Sequence, residues 1–237
     1  MATYNEIIYN LSNLYDGGIG SDDNNVSNDQ LIFIFNQYRA KLIREDLNKK
    51  RSIDPQIVQN LGCVEVECVD ASECCDIKSY TTILRSKKPL PRSIEGYNKN
   101  YLVFVGTVDK VIPFMVTSET QARWGGNSKY TGNTPKAYIR DNDRYLYLIN
   151  APAGIELITV DVIAENPEEA SKFTTCAGEP CFNNDMEYPI SAHMIPIINT
   201  LITQNELRLL SGTNTDITND TKDGAISSSS PQQQRGA

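Results

Sequence analysis

Tyr101-Leu-Val-Phe-Val-Gly-Thr-Val-Asp-Lys-Val-Ile-Pro-Phe-Met115 decides the fold class. Residues 101–105 and 111–115 are β-branched and aromatic runs flanking Asp109-Lys110, the pattern of two strands and a hairpin turn. Pro113 lacks an N–H for the ladder, which places the second strand at an edge. The same reading extends in both directions. Val64, Val66 and Cys68 alternate with Glu65 and Glu67, the period of a half-buried strand. Residues 79–84 form a further β-branched run, residues 136–140 and 144–149 flank Asp141-Asn142-Asp143 as a second hairpin, and residues 155–163 make a long strand. Two short helical turns interrupt the series. One begins at the Ser118-Glu-Thr-Gln121 capping box, the other at Asn166-Pro-Glu-Glu169, with acids in its first turn.

Helices flank this β region on both sides. Thr3-Tyr-Asn-Glu6 is a capping box followed by Ile7, Ile8, Leu11, Leu14 and Tyr15 at helical spacing. Asp16 to Asn25 is punctuated by Gly and Asx and reads as a loop. Ser27-Asn-Asp-Gln30 opens a second helix with Leu31, Ile34, Phe35, Tyr38 and Leu42 on its apolar stripe, Arg39 and Glu45 off it, and an end near Asn48. Asp54-Pro55 begins a short turn of helix. Ile197, Ile198, Leu201, Ile202 and Leu209 form a C-terminal helix with Pro196 at its start and Gly212 at its end. The expected fold is α+β. Residues 1–60, with the loop and C-terminal helix of residues 174–212, form a helical base, and a mostly antiparallel β domain of residues 61–173 is inserted between them. Residues 213–237 form a low-complexity tail too poor in apolar groups to order itself.

The composition narrows the function. The 237 residues carry a net charge of −8, which disfavours sequence-independent binding to phosphates. No stretch approaches the ~20 apolar residues of a membrane span, and the start lacks the basic and apolar regions of a secretory signal, so a cytosolic protein is expected. In that compartment Cys63, Cys68, Cys74, Cys75, Cys176 and Cys181 are expected as free thiols. Their spacing also permits a zinc-stabilised binding module, with x4 gaps at the loose end of what zinc sites use. His193 is the single histidine, which removes most metalloenzyme and triad arrangements, and no phosphate-cradling loop or nucleophile elbow is present. A cysteine nucleophile would need His193 beside it. No catalytic residue, cofactor site or metal site is assigned, and the chain is not expected to be an enzyme. Twelve tyrosines suit either strands or a protein interface.

The N-terminal strings Asn5-Glu-Ile-Ile-Tyr-Asn-Leu11, Gly17-Gly18, Ser21-Asp-Asp23, Gln30-Leu-Ile-Phe33 and Tyr38-Arg-Ala-Lys-Leu-Ile-Arg44 resemble small virion proteins of crAss-like bacteriophages. These are similar to head–tail connector, or ring, proteins of podovirus-type tails. The likeness covers roughly the first 50 residues well and the remainder in outline. It implies a subunit that closes into a ring, twelvefold to match the portal, with the portal and neighbouring tail ring proteins as partners and DNA only as passing channel contents. An acidic channel wall would let DNA pass without sticking. The implied location is the virion, and the host cytoplasm during assembly. Tyr38, Arg39, Lys41 and Arg44 form a basic, aromatic group in an otherwise acidic chain and are the expected subunit contacts, with the tail after Gly212.

Overall fold

The computed structural model describes residues 2–15, 26–49, 52–70, 82–96, 99–100, 102–125, 132–140 and 142–207. The expected loop of residues 16–25, the thiols Cys74 and Cys75, and the tail from Thr213 lie outside them.

Two helices open the chain, α1 (Tyr4–Tyr15) and α2 (Asn28–Asn48). The Thr3 N–H donates to the Glu6 carboxylate at 2.9 Å and the Glu6 N–H to the Thr3 hydroxyl at 3.3 Å, so the first capping box closes reciprocally. Ser27 accepts from the Gln30 N–H at 3.2 Å and starts α2. A 3-10 turn over Pro55–Ile57 follows, its first N–H groups capped by Asp54.

Among the described residues ten strands come next: β1 (Gln59–Asn60), β2 (Val64–Asp70), β3 (Thr82–Ser86), β4 (Glu95–Gly96), β5 (Lys99–Asn100), β6 (Leu102–Thr107), β7 (Met115–Val116), β8 (Lys136–Ile139), β9 (Leu146–Ile149) and β10 (Leu157–Val162). Among the described residues, strands β4 and β5 pair with each other alone. The helix α3 (Glu119–Gly125) lies between β7 and β8 and starts at Ser118, which exchanges hydrogen bonds with Gln121.

The other eight strands curl round on themselves. Ile158 of β10 faces Val64 of β2 on one side and Thr107 of β6 on the other. From β2 the pairing runs through β3, β9 and β8 to β7. The bridge between Gly106 and Pro113, with the Phe114 N–H donating to the Val105 carbonyl at 2.7 Å, joins β7 back to β6. The loop of pairing is therefore closed, which leaves few open edges. The pairing departs from expectation in one place. β7 runs parallel to β8, so the sheet is mixed. Pro113 explains why this second strand is short: the chain can bridge to β6 there but cannot donate, and regular pairing resumes only at Met115.

A 3-10 helix over Pro167–Lys172 follows β10, and the described residues end in α4 (Met194–Leu201), which passes into a π-helix over Ile202–Leu207. The one C-terminal helix expected from the sequence is thus two helical forms in series. One continuous apolar core joins the helices to the barrel, from Leu11, Phe35 and Ile43 to Leu146, Val160 and Ile198.

Two sequence expectations are corrected. Arg39 does not fall off the inner stripe of α2; it is fully buried. Cys63 and Cys176 are not free thiols but a disulfide, with Cα atoms 5.1 Å apart. Compartment rules set the earlier expectation, whereas pairing is set by the fold. The Cys63 N–H donates to the Thr174 carbonyl at 3.2 Å, and this brings the two cysteines side by side.

Candidate functional site

Helix α2 has two faces with different tasks. Leu31, Ile34, Phe35, Asn36, Arg39, Ala40 and Ile43 are buried. Phe33, Gln37, Lys41 and Arg44 repeat every three or four residues on the opposite side and are all exposed.

The inner face is locked. Arg39 donates from Nε to the Pro189 carbonyl and from Nη1 to the Ala164 carbonyl, both at 2.8 Å. Its guanidinium stacks over the Tyr188 ring, and Nη2 has no hydrogen-bond partner. Burial lowers the Arg39 pKa. Beside it runs a polar relay. Tyr188 donates to Asn36 Oδ1, Asn36 donates to the Tyr4 hydroxyl at 3.5 Å, and Tyr4 donates to Glu168 at 3.0 Å. The Tyr4 and Tyr188 rings stack at 5.0 Å. Burial pushes both phenols well above the ordinary tyrosine range, and Glu168 raises both further. Both phenols therefore stay protonated at neutral pH, and the relay ties α1, α2, the turn after β10 and residue 188 into one unit.

The outer face borders a cleft of about 470 Å³. Ile32 and Phe33 form its apolar side, and Asp29, Arg92, Glu165 and Glu169 its polar rim. Phe33 is 61% exposed, high for a large aromatic side chain on an ordered helix. Arg92 pairs with Glu165 at 3.1 Å and Arg144 with Glu169 at 3.3 Å.

A second cleft, of about 270 Å³, gathers Asp46, Asp54, Ser191 and His193. Its composition suggests acid–base chemistry, but its geometry is structural. Ser191 donates its hydroxyl to Asp54, not to His193, and this bond with the Gln56 N–H holds the Asp54 pKa down. A carboxylate so stabilised is a poor base. His193 sits 3.9 Å from Asp46 at the start of α4.

A profile of the family described as phage tail ring protein 2 matches residues 6–225. The chain belongs to that family. It is also 27% identical, over 223 residues, to Ring protein 2 of Bacteroides phage crAss001, an alignment covering 87% of this chain and 90% of the relative. As a family member the chain is a virion structural protein of the tail-ring type, and the resemblance noted in the N-terminal strings extends over most of its length.

The four residues singled out in the sequence are not one group. Lys41 and Arg44 lie on the exposed face of α2, where Arg44 donates to the Glu95 carbonyl at 3.0 Å. Tyr38 is half-buried and donates to Glu206 at 3.0 Å, joining α2 to the π-helix. Arg39 faces inward and serves the protomer itself. Sequence reading missed Phe33. It sits one position from the apolar stripe and passes for part of it until the helix phase is fixed.

The cysteines among the described residues are not gathered for zinc. Cys63 is bonded to Cys176, Cys68 is exposed on β2 and Cys181 is half-buried. Among the described residues no three His, Cys, Asp or Glu side chains cluster as metal ligands.

Proposed function

We propose that the chain closes with copies of itself into a ring below the portal of the phage particle, twelvefold to match it, and that DNA passes through the centre. The observation that carries this reading is the division of labour on α2. Its inner face is fixed by Arg39 and the tyrosine relay, while its outer face presents Phe33, Lys41 and Arg44 on a rigid support. Membership of the tail-ring family supports the ring, and the net charge of −8 suits a channel through which DNA must slide. Lys41 and Arg44 are the subunit contacts kept from the sequence reading, with the tail after Gly212 reaching an adjoining ring. In this arrangement residues 61–173 form the β unit of each subunit, and residues 1–60 with 174–212 form its base. The protein is assembled in the host cytoplasm and resides in the virion.

Native mass spectrometry of the full chain tests the reading. One closed multimer is expected, with twelve copies if it matches the portal. A monomer at micromolar concentration, alone and with purified portal, overturns it.

A further inference from the structure

The turn between β6 and β7 leaves an apolar knob in solvent. Val108, Val111, Ile112, Met115 and Val116 are all exposed, Val111 by 72% and Met115 by 56%. Leu157, at the start of β10 beside this turn, is also exposed. An apolar patch of this extent marks a contact surface. The turn is held in one shape. The Thr107 N–H donates to the Ile112 carbonyl at 3.1 Å, and the Lys110 N–H to the Thr107 carbonyl at 2.8 Å. Asp109 is folded back, accepting from the Thr107 hydroxyl and the Val111 N–H. A preshaped turn loses little freedom on docking.

Knob and Phe33 cleft sit at opposite ends of one strand. Ile158 of β10 is paired with Thr107 at the knob, while Ala164, just past the strand's other end, accepts from Arg39 of α2. The separation is about 20 Å at ~3.3 Å per residue. Two different apolar surfaces at opposite ends of a subunit make a head-to-tail contact, the type that generates rings. The charges on both surfaces are compensated within the subunit. Lys110 is bridged to Asp161 at 3.0 Å, Glu165 is paired with Arg92 and Glu169 with Arg144, so the match between knob and cleft is apolar.

We propose that the 107–116 hairpin of one subunit seats its apolar tip against Phe33 and Ile32 of the next copy. The inference rests on the ring reading and names the surfaces by which the ring closes. Val111 and Ile112 enter the cleft. The outer face of α2 continues from Phe33 to Lys41 and Arg44, so the contact extends along the helix.

The test uses two full-length variants, Val111→Asp with Ile112→Asp, and Phe33→Asp. All three positions are exposed, so melting temperatures should match the wild type and folding is checked directly. Each variant alone is expected to be monomeric, with subunit affinity reduced by at least about thirtyfold. Each keeps one intact surface, so a 1:1 mixture is expected to give heterodimers and no ring. Variants that assemble as the wild type does, or a mixture without heterodimers, overturn the proposal and leave the ring reading standing. A wild type that is monomeric under the same conditions overturns the ring reading and this proposal with it.

Discussion

The Arg39 guanidinium lies 5.5 Å from the centre of the Tyr188 ring, a cation against a π face with no carboxylate hydrogen-bonded to it. The charge is compensated by two carbonyls and the aromatic ring alone. Replacing it with an apolar group removes the desolvation cost but leaves the Ala164 and Pro189 carbonyls without donors. The second effect prevails, because both carbonyls are in the interior. Arg39→Met is expected to lower stability by about 3 kcal/mol, a fall in melting temperature of roughly 10 °C. Arg39→Lys should not restore it, since a single ammonium cannot reproduce the guanidinium fork. Denaturant unfolding of both variants checks this.

Tyr188 and Tyr4 set the response to alkali. Burial is the main cause that raises both pKa values in the folded state, while the unfolded chain titrates near the ordinary value of ~10. Above that pH the unfolded state loses protons that the folded state keeps, so ΔG of unfolding falls as pH rises. Stability should be insensitive to these groups below about pH 9 and fall by up to ~1.4 kcal/mol per pH unit per tyrosine above pH ~10. Tyr188→Phe should flatten that alkaline slope and cost about 1–2 kcal/mol at neutral pH by orphaning Asn36 Oδ1. Urea melts across pH 7–11 measure both.

How much of this was legible in the chain depended on range. Capping boxes at Thr3, Ser27 and Ser118 involve residues three apart, and each is where the sequence placed it. Strand periodicity located β2, β6 and β10 for the same local reason. The Gly106–Pro113 bridge belongs to the hairpin that the sequence placed at residues 101–115, but closure of the barrel was not legible, because the parallel pairing of β7 with β8 depends on where distant strands have already gone. Arg39 shows the limit most clearly. A charged residue is assigned to solvent by default, and only the free carbonyls of Ala164 and Pro189, more than a hundred residues away in sequence, make the interior acceptable.

Cys63 and Cys176 close a loop with a sequence separation of 113 residues. The loop-entropy model gives such a crosslink about 4–5 kcal/mol. Gly62 enables it. Its φ is +65°, and a Cβ there would come within 2.7 Å of the Thr174 carbonyl oxygen. Under oxidising conditions Cys63 and Cys176 should resist alkylation while Cys68 reacts, and Cys63→Ser should lower the melting temperature. Gly62→Ala should expose both thiols to a labelling reagent, read by peptide mass mapping.

Lys41 and Arg44 stand in solvent, and neither is needed to close the core. Lys41→Glu with Arg44→Glu should therefore cost no more than about 1 kcal/mol, the loss of the exposed Arg44 hydrogen bond to the Glu95 carbonyl. If this face meets a neighbour, the same pair weakens ring assembly, and light scattering with a calorimetric melt separates the two effects.

Gly106 is the point at which the barrel closes. A Cβ there would meet the Ile112 carbonyl oxygen and the Phe104 ring, each at 2.7 Å. The ring edge can swing aside, but the backbone carbonyl is fixed by the Thr107 N–H that it accepts from. Gly106→Ala must therefore push the 107–112 turn away from β6, lengthening the hydrogen bonds at Thr107 and Phe114. A loss of about 1–3 kcal/mol is expected. The cost should be local, because β10 keeps its pairing with β2 whether or not the turn is displaced. Hydrogen exchange should accelerate at the Thr107 and Phe114 amides, with Val160 still protected. Uniform acceleration over all three would mean that the bridge holds the whole barrel together. Because the same turn carries Val111 and Ile112, its displacement should also weaken subunit association without any change to the apolar surface itself.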